Sequence, residues 1–70
     1  MREKVLELDR ELAGEMDSVD SMSPEEKTRK LFDGTFITKI ETFINNHPEL
    51  TQFVMNWLLS MIKTSAPVAG

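Results

Sequence analysis

Seventy residues with a formal charge of −4, no cysteine and a single histidine bound one small domain and exclude several ways of holding it together. A chain of this length buries only about 60% of the surface its unfolded form exposes. Without cysteine there is no disulfide or thiolate metal site, and one histidine is too few for a zinc site built from protein side chains alone. No catalytic, cofactor or metal motif is readable, so the remaining staple is burial against a partner.

The charge is unevenly placed. Residues 1–26 hold nine acids against Arg2, Lys4 and Arg10, a balance of −6, whereas the remainder has five bases against three acids, a balance of +2. Phosphate binding draws on lysine and arginine, so an acidic front half argues against nucleic acid and anionic membranes as partners. The amino terminus is charged from its second residue and has no apolar core for a signal peptide. The apolar run 53–62 is half the length needed to span a bilayer. The expected location is cytoplasmic.

Residues 1–17 read as a first, amphipathic helix. At 100° per residue, Met1, Val5, Leu8, Leu12, Met16 and Val19 fall in a stripe about 80° wide with charges on both flanks. A seam this narrow resembles the contact line of paired helices more than the broad face of a globular core helix, though an ordinary amphipathic helix packed on its own domain is the other reading. Val5, Leu8, Leu12 and Met16 are therefore candidate partner-binding residues. Gly14 costs the helix about 1 kcal/mol relative to alanine. Residues 18–23 form an acidic connector; Asp17 and Asp20 lack the further oxygen ligands and glycine of a calcium loop.

Ser23-Pro24-Glu25-Glu26 is the strongest local signal. Ser23 is an N-cap, Pro24 suits the first helical position, and Glu26 completes a capping box. The second helix spans 24–46, either continuous or broken at Asp33-Gly34. Phe32, Phe36, Ile37, Ile40, Phe43 and Ile44 share a face about 140° wide, with His47 in the same sector. Lys27, Arg29 and Lys30 form one basic cluster, expected to be solvated or paired with Glu25, Glu26 or the acidic first helix.

Asn45-Asn46-His47-Pro48 ends that helix and starts a third over 48–63, with Asn46 or His47 as N-cap. His47 lacks a readable orienting carboxylate and nucleophile, so capping is its expected role. Leu50, Phe53, Val54, Trp57, Leu58 and Met61 match the aromatic face of the second helix. Met55, Leu59 and Ile62 form a second apolar line to one side. Either the first helix covers that line or another molecule does, which makes the three residues the main partner-binding candidates. Residues 64–70 read as a loose tail.

The expected fold is all-α: a small three-helix bundle, or a helical hairpin with an amino-terminal amphipathic arm, completed by oligomerisation or a partner. The expected function is a non-enzymatic protein–protein interaction module, whether adaptor, regulator, inhibitor or co-chaperone, with a protein partner or a homo-oligomer and no small-molecule substrate. One alternative is a transcription-associated regulator that binds polymerase or a DNA-binding protein. A helix-turn-helix would want basic residues on the third helix, and none precedes Lys63. The other is a membrane-surface helix, but its polar face would be Gln52, Asn56 and Ser60 rather than lysine and arginine.

Overall fold

The computed structural model describes residues 2–67. These form five α-helices and one 3-10 turn, with no strand among the described residues, in a body of 36 × 20 × 19 Å. Helix α1 (Arg2–Leu8) and helix α2 (Arg10–Asp20) are separated by Asp9 alone. Asp9 leaves helical geometry at φ −154° and ψ 91°, and its carboxylate accepts the backbone N–H of Leu12 at 3.0 Å. Such a cap contributes about 1 kcal/mol.

That corner turns α1 back along α2. Arg2 donates to Asp17, and to Asp20 at 3.0 Å; in one straight helix, residues fifteen apart would lie about 22 Å from each other. The expected rod over 1–17 is therefore corrected to two short helices folded together. Val5, Leu12 and Met16 are corrected with it. They are sealed in the chain's own core beside Ala13 and Val19, so this part of the stripe faces inward rather than toward a partner. Ala13 joins them because doubling back demands a wider apolar face than a straight seam. Leu8 and its neighbour Leu6 remain exposed. Met1 lies outside the described residues.

Helix α2 runs to Asp20, through residues expected to be connector, and only 21–23 link it to helix α3 (Pro24–Leu31). At that junction Glu26 N–H donates to Ser23 Oγ and Ser23 N–H to Glu26 Oε1, both at 3.3 Å. The Ser23 backbone and hydroxyl bonds hold the Glu26 carboxyl below its ordinary pKa. The stretch 24–46 is two helices. Helix α4 (Gly34–Asn46) begins afresh after Asp33, whose carboxylate caps it by accepting from Thr35 at 3.0 Å and Phe36 at 3.4 Å.

Helix α4 buries Phe36, Ile40 and Phe43. His47 closes it, its N–H donating to Phe43 O at 2.8 Å. It also stands at the N-cap position of the next turn, one of the two residues expected there, with its carbonyl accepting from Leu50 N–H at 3.0 Å and no cap bond from its side chain. The ring packs on Phe43, with centroids 4.9 Å apart, and Pro48–Leu50 forms a 3-10 turn leading into helix α5 (Thr51–Thr64). Val54, Trp57 and Met61 of α5 complete the core. The rings of Trp57 and Phe36 meet edge to face, centroids 6.1 Å apart and planes at 67°, and the indole N–H donates to Asp20 at 2.9 Å. Trp57 thus ties the last helix to the end of α2.

The basic and acidic halves of the chain meet within the molecule. Lys39 donates to Glu11, and to Glu15 at 3.0 Å. Lys30 lies 3.6 Å from both Glu15 and Asp33 and 4.8 Å from the Phe36 ring centroid. Hydrogen bonds to Glu11 and Glu15 push Lys39 above its ordinary pKa, and the Lys39 bond pulls Glu11 below its own.

Candidate functional site

Helices α3 and α5 are laced together at the carboxy-terminal end. Ala66 N–H donates to Pro24 O at 3.0 Å, Thr28 Oγ1 donates to Ala66 O at 2.7 Å, and Lys27 Nζ to Thr64 Oγ1 at 2.8 Å. Thr64 and Ala66, expected to be part of a loose tail, are therefore fastened to α3; 68–70 lie outside the described residues. The lacing ends before the carboxy terminus of α3, leaving an open groove of about 380 Å³. Leu31 and Phe32 wall one side of it and Ile62 and Pro67 the other.

Phe32 occupies the C-cap of α3 and is 73% exposed. Sequence periodicity assigns it to the core face of a continuous second helix. The new start at Asp33 resets the helical phase, so Phe36 is buried while Phe32 is left outside. The signal was the Asp-Gly pair itself: a capping residue beside a weak helix former.

From Phe32 and Ile62 the apolar surface continues along α5 through Leu59 to Met55. Ile62 and Leu59 are about half exposed and Met55 is 43% exposed. At 100° per residue this line is turned roughly 140° from the core-facing Val54, Trp57 and Met61. Because Trp57 carries the bond to α2, the line lies on the side of α5 away from that acidic helix. Residues 50–62 carry no charged side chain, and Gln52, Asn56 and Lys63 border the far edge. The structure brings Met55, Leu59 and Ile62 together on the surface with Phe32. Leu8 is exposed on α1, with no contact to them established.

His47 Nδ1 lies 3.7 Å from Glu49, too far for an orienting hydrogen bond. Among the described residues no cluster of three or more His, Asp or Glu could hold a metal ion. A shallow depression of about 240 Å³ has Glu26 and Asp33 beside Arg29 and Lys30, mixed charges that do not define a ligand. No helix among the described residues is long and apolar enough to cross a membrane. Neither a protein-family model, nor a curated protein, nor a solved structure matches this chain.

Proposed function

We propose that this chain is a non-enzymatic interaction module that docks a protein through the face formed by Phe32, Met55, Leu59 and Ile62. The observation that carries the reading is the contrast within α5. One side is sealed in the core while the other exposes three large aliphatic side chains in register. Contiguous apolar surface of this kind marks interaction sites more often than chance. Burial of the strip in a groove or against a second helix accounts for its spacing. The partner completes a helical body whose own core is small, which fits a cytoplasmic adaptor, regulator, inhibitor or co-chaperone. The absence of charge along the strip suits a protein rather than a nucleic acid, which would need lysine or arginine there.

Site-specific photocrosslinking in the producing cell tests this reading. A photoreactive residue at Leu59 is expected to give a discrete adduct of higher mass, whereas one at Thr38, exposed on α4, gives none. Equal silence at both positions, with the protein folded and expressed, would refute docking through this face.

A further inference from the structure

We infer that the occupant of this face is a second copy of the same chain, related by a two-fold axis, with Phe32 of each copy seated in the groove of the other. The inference rests on the docking function proposed above and names its partner. The first observation is that a knob and a hole share one patch. Phe32 is the most exposed large hydrophobic residue described, and it stands at the wall of the groove of about 380 Å³ closed by Ile62 on the opposite side. A cavity of roughly 150 Å³ already accepts a benzene ring, so this groove has room for a phenylalanine. A surface with its projection and its recess side by side is self-complementary, as an isologous pair requires. A foreign partner would need a hole for Phe32 and a knob for the groove, both of which a second copy already carries.

Electrostatics agree. The excess of acid lies in residues 1–26, and most of it sits on α1 and α2, joined to α5 through Asp20 and Trp57 on the side turned away from the strip. A two-fold axis through the α3–α5 face keeps those acidic surfaces apart. The strip itself brings no like charges together, because residues 50–62 are uncharged. Lys27 of α3 is already engaged with Thr64.

Area sets the expected strength. At their observed exposures Phe32, Met55, Leu59 and Ile62 offer roughly 350 Å² of apolar surface. The groove walls add little to this, so the seat stays below the roughly 600 Å² per copy at which specific interfaces begin. A seat of that size suits a weak, reversible dimer rather than a permanent one.

Sedimentation equilibrium of the full chain, over about 1 to 500 μM so that weak association is covered, is expected to move from 8.0 kDa toward twice that mass. Phe32→Ala should weaken association at least tenfold with helix content unchanged, since the side chain is exposed; Leu6→Ala, on α1, should leave it unaltered. In an equal mixture of isotope-labelled and unlabelled protein, isotope-filtered spectra should show intermolecular contacts from the Phe32 ring to the Ile62 methyls. A monomer throughout the range overturns the inference, as does a dimer indifferent to Phe32→Ala or lacking those contacts. A Leu59 cross-link in cells to a chain of different mass, with a monomeric purified protein, would overturn the self-pairing while leaving the docking function standing.

Discussion

Asp20 is where a long-range polar tie of the fold can be measured. Its carboxylate accepts the Trp57 indole N–H at 2.9 Å and an Arg2 guanidinium N–H at 3.0 Å. Asp20→Ala removes both, leaving the N–H of a tryptophan only 9% exposed without its partner. That loss costs about 1–2 kcal/mol for a largely covered donor. The Arg2 pair adds little, about 0.5 kcal/mol at most, because its side chains are 28% and 51% exposed and such pairs are screened. Arg2 Nε is also covered without a partner, which offsets part of the gain. The total is about 2 kcal/mol, a large fraction of the roughly 4–10 kcal/mol expected for a domain of this size. It corresponds to a fall in Tm of about 10 °C. Asp20→Asn keeps an acceptor for the indole and loses only the charge, so its cost should be about 0.5 kcal/mol. Urea unfolding read by fluorescence reports on the tie directly, because Trp57 is the only tryptophan, and circular dichroism checks that helices melt with it. Equal losses for the alanine and asparagine variants would refute the indole bond as the stabilising element.

Two further outcomes follow from the helix ends and interiors. Gly14 sits within α2 with nothing inside 4 Å of where a Cβ would stand, so Gly14→Ala should stabilise the protein by about 0.5–1 kcal/mol in urea titration. Acid should loosen α3: Glu26 titrates below its ordinary 4.5 in the folded chain, held there by its Ser23 bonds. The folded carboxyl therefore takes up its proton less readily than the unfolded one. Its contribution is complete above the ordinary value and is lost as pH falls through the depressed one. The urea midpoint should fall less steeply below pH 4.5 in Glu26→Gln than in the parent, and parallel curves would exclude the cap as a source of acid sensitivity.

The capping box was legible because all its information lies within four consecutive residues. The Asp33-Gly34 break was legible only as an alternative, since a helix can tolerate one glycine when both faces continue in phase. The corner at Asp9 was hidden for the opposite reason: Val5, Leu8, Leu12 and Met16 keep a helical period straight through it. Periodicity counts residues and does not register a chain that stops, turns and resumes in compatible phase. The capping preference of aspartate was the available sign, weakened by how many acids surround it. Segregation of charge was evident from composition, and pairing of the Lys27, Arg29 and Lys30 cluster with the acidic first helix was one expectation, which Lys30 meets at Glu15; no spacing pointed to Lys39 joining it there. Nor does any spacing rule connect Asp20 to a tryptophan thirty-seven residues later.

Those long-range ties bear on why the apolar strip lies where it does. The acids of α2 are taken up by Lys30 and Lys39, by Arg2 and by the indole of Trp57, which draws α2 onto α4 and onto the Trp57 side of α5. A helix of α5's diameter, about 10 Å, cannot be covered on both sides by so short a chain. With α2 held on the Trp57 side and α3 laced along one edge, Met55, Leu59 and Ile62 have no element of the described chain left to cover them. The exposed line is therefore the side of α5 that these ties leave uncovered. Moving α2 across to hide it would separate Glu15 from Lys30 and Lys39 and strand the Trp57 N–H in the core, leaving a covered donor without an acceptor.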